Sequence, residues 1–230
     1  MIERELLTQG LEMLGMNDAQ AVDKLLAFSD LLLEKNKVMN LTAVKEPMEV
    51  VTRHFLDCAP LAQYAAGKQV IDVGCGAGFP GMPIAMLTDA QVTLLDSLGK
   101  RIVFLKEVID TLHLENVQAV HARAEEFGHR EDFDLATSRA VARLNILAEL
   151  SLPLVKVGGY FIAMKAVGSD EEIAQAKNAI HLLGGQLERV LDYEVPMTEY
   201  RKSRLVLIRK VRETPEKYPR RFQKISAQPL

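Results

Sequence analysis

The residues best suited to chemistry in this sequence lie in one short stretch, which combines a carboxylate with closely spaced glycines. The stretch runs Asp72-Val73-Gly74-Cys75-Gly76-Ala77-Gly78-Phe79-Pro80-Gly81. Val70 to Val73 is typical of a short buried strand, and Met82 to Leu87 is typical of an apolar helix. A strand, a glycine turn and a helix in this order indicate a nucleotide site, because glycine lets the backbone turn tightly and approach a ligand closely.

Two kinds of ligand fit this turn. Gly76, Gly78 and Gly81 match G-x-G-x-x-G, the dinucleotide pattern, but a pyrophosphate at the helix N-terminus would be repelled by the Asp72 carboxylate. S-adenosylmethionine has no phosphate, and its ammonium and sulfonium groups are attracted by a carboxylate at a strand end. The pattern therefore favours S-adenosylmethionine over a nicotinamide dinucleotide. A turn without a ligand is disfavoured, since extra glycines cost folding entropy.

The next two strands supply further candidates for the same cofactor. Val92 to Leu95 is a predicted strand that ends in Asp96, about twenty residues beyond the glycines, where an acidic residue receives the ribose hydroxyls in such folds. Asp96 could equally cap the following helix, and both roles can hold. After a third predicted strand come Ala124 and Glu125, which are placed to meet the adenine edge.

The fourth predicted strand, Phe133 to Thr137, indicates the methyl acceptor. Methylation of an adenine amino group typically uses an Asn/Asp-Pro-Pro-aromatic turn at this point, and pyrimidine C5 methylation needs a cysteine nucleophile. The sequence has Ser138-Arg139-Ala140 there, which favours an acceptor with a free lone pair, such as guanine N7, that needs only placement. Arg139 either stacks on or hydrogen-bonds the ligands, or forms a salt bridge to Glu125 or Asp72.

A second candidate catalytic residue is His54. It lies three residues before Asp57, near the end of a helix predicted over residues 46–56, so both side chains share one helical face. That face is either a local surface pair or a wall of the cofactor cleft, and we keep both interpretations.

The charge distribution predicts a polyanionic partner. The net charge is −3, but the stretch from Arg201 to Lys224 holds ten Lys and Arg residues against two Glu, so it carries +8 and leaves −11 for the remainder. A basic patch on an acidic protein is a candidate nucleic-acid surface. The candidate RNA-binding residues in it are Arg201, Lys202, Arg204, Arg220 and Arg221.

The chain is long enough for one α/β domain with an extension. We expect a helical cap over residues 1–66, with Asn17 and Asp18 as candidate caps of its second helix, a core over 67–212 ending in an antiparallel hairpin, and an extended or mobile tail over 213–230. Two cysteines, Cys58 and Cys75, suggest neither a disulfide framework nor a metal site. Without a signal peptide or a membrane span in the sequence, we expect a cytoplasmic monomer.

Taken together, these segments resemble the bacterial small-subunit ribosomal RNA guanine-N7 methyltransferase family, also called the glucose-inhibited division protein B family. The matching segments are Asn40-Leu41-Thr42, Arg53-His54-Phe55-Leu56-Asp57, Asp72 to Gly81 with Pro83, Leu95-Asp96-Ser97-Leu98-Gly99-Lys100-Arg101, Arg123-Ala124-Glu125-Glu126 and Ser138-Arg139-Ala140, with a weaker match at Met164-Lys165 and in the basic tail.

The resemblance implies a class I S-adenosylmethionine-dependent methyltransferase fold, which is Rossmann-like with a mostly parallel seven-stranded sheet. It implies that Gly74 and Phe79 shape the methionine end of the site, that Ala124 and Glu125 hold the adenine, and that Arg139 closes the site. The implied substrate is a guanine in 16S ribosomal RNA, free or in the 30S subunit, with Arg123 and Lys165 as further RNA contacts.

Three other functions remain compatible with the residues. They are a methyltransferase for small molecules, which the basic tail opposes, a protein that binds S-adenosylmethionine without catalysis, and a nicotinamide oxidoreductase, which Asp72 opposes. Methyl transfer to ribosomal subunits separates these alternatives from the leading hypothesis.

Overall fold

The computed structural model describes residues 1–16, 18–139 and 142–230, so the expected cap at Asn17 and the residue Ala140 lie outside the described residues. Helices in this part of the chain are α1 (Ile2–Met13), α2 (Ala19–Met39), α3 (Pro47–Val50), α4 (Asp57–Ala62), α5 (Gly81–Leu87), α6 (Gly99–Thr111), α7 (Leu144–Ser151), α8 (Asp170–Leu182) and α9 (Phe222–Ala227). The strands are β1 (Gln69–Val73), β2 (Gln91–Asp96), β3 (Val117–His121), β4 (Phe133–Arg139), β5 (Val155–Lys165), β6 (Gly185–Glu194) and β7 (Lys202–Lys210). No described helix is long and apolar enough to cross a bilayer.

The strands form one seven-stranded sheet in the order β3-β2-β1-β4-β5-β7-β6. The five strands from β3 to β5 are parallel, whereas β7 is antiparallel to both β5 and β6. This topology confirms the predicted Rossmann-like class and the predicted hairpin. The strand order reverses at β1 and β4, and ligands of open α/β sheets bind beyond the carboxyl ends of strands at such a point.

Two hydrophobic clusters cover the two faces of the sheet, because successive strand residues point to opposite faces. Val70 of β1 packs in the cluster that includes Leu25 and Phe28 of α2 and Phe104 of α6. Its neighbour Ile71 packs in the opposite cluster, which includes residues of α7, α8 and α9. The N-terminal helices therefore bury their apolar stripes in the same cluster as α5 and α6.

Local sequence signals fix the ends of α2. The Asp18 carboxylate accepts hydrogen bonds from the backbone N–H groups of Gln20 and Ala21, which are otherwise unpaired at a helix start. Asn40 follows the last residue with a φ of 48°, the left-handed cap conformation that Asn tolerates. The first of these observations confirms the predicted role of Asp18.

The prediction of one regular helix over residues 46–56 is wrong, because the helical segment in the structure is longer and is interrupted. A π-helical turn over Val51–Leu56 separates α3 from α4, and the helical segment continues to Ala62 because its residues from Asp57 onward are buried. Farther along the chain, α7 stops at Ser151, and β5 begins at Val155.

The expectation of an extended or mobile tail is wrong as well. Tyr218 and Ile225 are buried in the cluster on the α7 face, and Arg220 forms an ion pair with Glu149 of α7. The physical reason is that the tail carries apolar side chains at irregular spacing, which a search for periodic patterns does not register.

Candidate active site

The glycine turn after β1 bends over the end of β2. Gly74 and Gly76 have φ values of 72° and 60°, in the left-handed region that glycine adopts without strain. The backbone N–H of Gly74 donates to the carbonyl of Leu95 over 2.8 Å, so the turn is tied to the neighbouring strand. A Cβ at Gly78 would lie 2.6 Å from Cγ of Met82. Gly74 and Gly76 therefore shape the ligand side of the turn, while Gly78 permits its close packing on the protein.

A first cavity of about 500 Å³ opens at the carboxyl ends of the strands. The sequence-predicted residues that line it are Gly74, Gly76, Asp96, Arg123, Ala124, Glu125 and Arg139. It is also lined by residues that the sequence did not single out as site residues, among them Leu98, Arg101, Leu150 and Phe222. Asp72, Gly78 and Phe79 do not line this cavity, so their effect on a ligand there is indirect.

Asp96 connects the first cavity to the loops around it. Its carboxylate accepts hydrogen bonds from the backbone N–H of Gly76 (2.9 Å) and of Leu98 (2.8 Å), and from Nη1 of Arg101 (3.1 Å). The side chain is buried but borders the cavity. Asp96 thus fixes both the loop that leads into α6 and the glycine turn, and its carboxylate faces the position expected for a ribose.

Asp72 lies behind the glycine turn rather than in the cavity. It is fully buried, its Oδ2 accepts from the backbone N–H of Gly81 over 2.8 Å, and its Oδ1 has no hydrogen-bond partner among the described residues. Burial raises the pKa of Asp72 to about 7, against the lowering effect of the Gly81 hydrogen bond and the charge of Arg139. A cation bound near the turn would stabilise the ionised form.

A second cavity of about 390 Å³ lies on the other side of Arg139. It is lined by Arg53, His54, Asp57, Arg139, Met164, Lys165, Ala166, Arg201, Lys202 and Ser203. Because Arg139 borders both cavities, the two spaces meet at this one side chain. His54 and Asp57 line the second cavity and not the first, so this helical face reaches the expected cofactor cleft only through Arg139.

The sequence suggested a salt bridge from Arg139 to Glu125 or Asp72, but in the structure Arg139 pairs with a different carboxylate. Its Nη1 lies 3.7 Å from Oδ2 of the buried Asp57, and its guanidinium carbon lies 5.0 Å above the ring centroid of Phe79. The predicted partners of the salt bridge were wrong because the end of the π-helical turn brings Asp57, which is distant along the chain, beside β4. The Arg139 charge is therefore balanced by a carboxylate on the far side from the first cavity.

Both ring nitrogens of His54 are held by neighbours. Nδ1 lies 3.0 Å from Nη2 of Arg139 and 3.0 Å from the backbone carbonyl of Arg53. Nε2 lies 2.9 Å from Oγ1 of Thr42, and the ring stacks on Phe79 with centroids 4.3 Å apart. Burial and the Arg139 charge lower the pKa of His54 to about 3, so the imidazole is neutral at physiological pH.

The π-helical turn gives this wall its geometry. Nη1 of Arg139 also donates to the backbone carbonyl of Arg53 over 3.2 Å, so one guanidinium contacts both the carbonyl and the following imidazole. A π-helical turn leaves backbone groups outside the regular helical ladder, and such turns occur frequently at functional sites. The sequence reading missed it, because an apolar stripe does not distinguish a π turn from an α turn.

The predicted RNA-binding residues divide into two groups. Arg123, Lys202 and Arg221 are exposed, and Arg201 lines the second cavity with its Nε atom buried and unpartnered. In contrast, Lys165 bonds to Glu172, Arg204 bonds to Asp192 and Asp170, and Arg220 bonds to Glu149, with side-chain exposures of 9%, 7% and 15%. Sequence charge counts cannot separate these groups, because a carboxylate partner distant in the chain is not visible in them.

The residues of the first cavity fit S-adenosylmethionine. The Asp96 carboxylate can accept from a ribose diol, and the nearly buried Glu125 side chain has only a long 3.8 Å contact to Arg123. The unpartnered Oδ1 of Asp72 behind the turn suits a cationic ligand and disfavours a pyrophosphate.

Comparison with solved structures agrees with this reading of the fold. M. jannaschii TYW2 in complex with AdoMet aligns with a TM-score of 0.56 at 15% identity, over 67% of this chain and 75% of that chain. A SAM-dependent O-methyltransferase from Thermotoga maritima aligns with a TM-score of 0.56 at 15% identity, over 80% of this chain and 73% of that chain. The fold is thus that of the class I S-adenosylmethionine-dependent methyltransferases.

Sequence comparison gives the particular family. A family model described as rRNA small subunit methyltransferase G (GidB) matches residues 21–199. Proteins named Ribosomal RNA small subunit methyltransferase G are 46% identical in Alkaliphilus metalliredigens, over 100% of both chains, and 44% identical in Acetivibrio thermocellus, over 99% of this chain and 96% of the relative. The chain belongs to the rRNA small subunit methyltransferase G family, which confirms the resemblance and the cofactor predicted from the sequence.

Proposed function

We propose that this protein transfers the methyl group of S-adenosylmethionine to N7 of a guanine in 16S ribosomal RNA. Family membership supports a methyltransferase that acts on small-subunit ribosomal RNA. The observation that supports N7 is the wall between the two cavities, where the one histidine is neutral and has both ring nitrogens engaged. An acceptor with a free lone pair needs no base at that wall.

Nucleophilic chemistry through cysteine is opposed by the environment of both cysteines. Cys58 and Cys75 are the two cysteines of the chain, and both are buried. Burial raises the pKa of Cys58 to about 12 and that of Cys75 well above its ordinary value. A thiol that stays protonated is a poor nucleophile, so covalent methylation at a pyrimidine C5 is disfavoured.

In the proposed reaction, the chain's residues bind and orient. Bound in the first cavity, S-adenosylmethionine supplies an electrophilic methyl group on its sulfonium. The Asp96 and Glu125 side chains hold the nucleoside part, and the glycine turn shapes the methionine end. Arg139, held by Asp57 and His54, fixes the boundary across which the guanine must be placed, which is a proximity effect.

The second cavity is proposed to receive the RNA. Arg53, Arg201 and Lys202 line it and provide positive charge for phosphate groups, and the Nε atoms of Arg53 and Arg201 have no partner among the described residues. Exposed Arg123 and Arg221 extend the positive surface. We propose further that the protein works as a monomer in the cytoplasm, where ribosomal subunits are assembled.

Methylation of ribosomal RNA with labelled donor tests the proposal. Purified 30S subunits and protein-free 16S RNA are incubated separately, and the product is cleaved at 7-methylguanosine by borohydride and aniline. We expect label in one guanine and chain cleavage at that position, and reduced transfer by the Asp96→Ala variant when the donor is below saturation. Label in RNA without cleavage would contradict N7, and label in no RNA would contradict an RNA substrate.

A further inference from the structure

The C-terminal clasp, which we define as residues 214–227, is fixed to the body of the protein at several points. Nη1 and Nη2 of Arg130 donate to the backbone carbonyls of Tyr218 and Thr214, each over 2.6 Å. The hydroxyl of Thr214 donates to the carbonyl of Leu183 over 2.6 Å, and Ile225 is fully buried. The clasp is therefore an integral part of the fold.

One ion pair fixes the clasp to α7. The Glu149 side chain is fully buried and accepts three hydrogen bonds from Arg220: from its backbone N (2.9 Å), from Nε (2.7 Å) and from Nη2 (2.6 Å). Such a bidentate pair defines the orientation as well as the distance of its two partners. A buried Glu without its cation is strongly destabilising, so Arg220 has little freedom to leave.

The consequence of this anchoring is the position of Phe222. It lies two residues beyond Arg220, at the start of α9, and its side chain forms part of the wall of the first cavity together with Leu150 and Ala124. Leu150 is buried in the cluster on this face of the sheet, and Ala124 packs against that cluster. The wall at Phe222 is thus apolar, whereas Asp96 and the glycine turn form the polar part of the cavity.

We propose that Phe222 contacts the adenine of bound S-adenosylmethionine and that the Arg220–Glu149 pair is a positioning device for it. A flat purine suits an aromatic ring, and α7 contacts both α9, which carries Phe222, and the 3-10 turn that contains Ala124 and Glu125, where the adenine edge is expected. The inference rests on the proposed function, since it assumes the cofactor in the first cavity. The C-terminal clasp, whose positive charge had suggested RNA binding alone, would thus also contribute a contact to the cofactor.

The first test measures cofactor affinity by calorimetry with the full-length chain. Phe222→Ala should raise the dissociation constant of S-adenosylmethionine between about five-fold and one-hundred-fold, the range found when an aromatic partner of a base is truncated. It should raise the constant for adenosine by a similar factor. Gln223→Ala, an exposed neighbour on α9, is the matched control and should leave both constants unchanged.

A second test uses the fact that the chain contains no tryptophan. Phe222→Trp introduces a single indole, whose emission should be quenched when S-adenosylmethionine or adenosine binds. Gln223→Trp should show no such change. A merely structural role for Phe222 would not produce quenching, because it requires proximity of ring and adenine.

The positioning role is tested by coupling. Arg220→Leu combined with Glu149→Leu removes both charges of the pair, which avoids an unpaired buried carboxylate. This double variant should raise the dissociation constant of S-adenosylmethionine. The triple variant that also carries Phe222→Ala should raise it by less than the product of the factors found for the double variant and for Phe222→Ala alone. If the triple variant shows the full product of the two factors, so that the binding free energies add, the positioning role is overturned.

The inference as a whole is overturned if wild type binds S-adenosylmethionine, Phe222→Ala binds it within two-fold, and the Phe222→Trp emission does not respond. That result would leave the proposed function intact. Failure of wild type to bind S-adenosylmethionine would instead count against the proposed function.

Discussion

Nη2 of Arg139 lies 3.0 Å from Nδ1 of His54, so a permanently charged guanidinium lies directly against a ring nitrogen that a histidine base could use. The same guanidinium lies above Phe79 and beside the buried Asp57. The arrangement makes His54 a support of Arg139 and not a proton acceptor. It gives both side chains a positioning role at the boundary between the two cavities.

We expect Arg139→Lys to lose most methyl transfer although it keeps the charge. An ammonium group cannot contact the Arg53 carbonyl, His54 and the Phe79 face together as the planar fork does. With at least one charge-assisted hydrogen bond lost, single-turnover rates on 30S subunits should fall by about ten-fold or more. Arg189→Lys, at an exposed position of β6 that lines neither cavity, is the control. Full activity of Arg139→Lys would show that charge alone matters.

The pH profile of the chemical step should be flat. The pKa of His54 is lowered to about 3 by burial and by Arg139, so the imidazole stays neutral throughout the range from pH 6 to pH 9. With saturating S-adenosylmethionine, single-turnover rates should vary less than about three-fold across this range, and His54→Gln should lower the rate without changing the profile. A steep rise of the rate with pH would reveal a general base and an acceptor other than N7.

Asp72→Asn should stabilise the protein, and increasingly so as the pH rises. The folded-state pKa of Asp72 is raised to about 7 from 3.8, so between these values the folded state binds more protons than the unfolded state. The contribution of Asp72 to the free energy of unfolding therefore falls between about pH 4 and pH 7 and is constant above. Urea denaturation should show a gain in the variant on the order of 1–3 kcal/mol above pH 7. Asp110→Asn, an exposed control on α6, should show no such trend.

The same variant should bind S-adenosylmethionine more weakly. Asp72 does not border the first cavity, so its attraction for a cationic ligand acts through the glycine turn, and the loss should be several-fold rather than a hundred-fold. In wild type, the affinity for S-adenosylmethionine should increase as the pH rises through about 7, because Asp72 becomes ionised. The affinity of Asp72→Asn should not show this increase. Equal affinity of the two proteins at pH 8 would remove Asp72 from the cofactor site.

Asp96→Ala should raise the dissociation constant of S-adenosylmethionine by about ten-fold or more, because a hydrogen bond to a charged group contributes roughly 1.5–3 kcal/mol. It should also lower the melting temperature, since Asp96 holds Gly76, Leu98 and Arg101. Asp96→Asn retains an acceptor and separates the two effects. An unchanged dissociation constant in both variants would leave Asp96 with a structural role in the loops alone.

The positive residues around the second cavity should carry salt-dependent RNA affinity. Arg201→Ala and Lys202→Ala should each weaken 16S RNA binding and reduce the slope of log affinity against log salt by about one, while cofactor affinity stays the same. Lys177→Ala, at an exposed position of α8, is the control. Arg204→Ala should instead lower stability, because it leaves Asp192 and Asp170 without their shared partner. Unchanged salt slopes for both cavity variants would argue against RNA at this surface.

The parts of the site that sequence reasoning placed are those fixed by local chain geometry. The glycine turn, Asp96 and the pair Ala124 and Glu125 follow successive parallel strands, so the strand order alone brings them to one cavity. The sheet and its final hairpin were likewise predictable from alternating strands and helices.

The parts that were missed depend on contacts between distant segments. Asp57 and Arg139 meet through a π-helical turn that no periodicity reports, and Glu149 neutralises Arg220 from within the core. The approach of Phe222 to the first cavity depends on that same ion pair. A residue's charge or aromatic ring is visible in the sequence, but its partner is decided by tertiary packing.

The insertion of β7 between β5 and β6 also determines the order in which the protein can become active during translation. Domains begin to fold from their N-terminal parts as the chain emerges, yet β5 has no antiparallel neighbour until residues 202–210 have been made. Arg201 and Lys202 of the second cavity arrive with that strand, and Phe222 arrives later still. A nascent chain on the ribosome therefore carries an incomplete site until the segment from Arg201 to Phe222 has been synthesised.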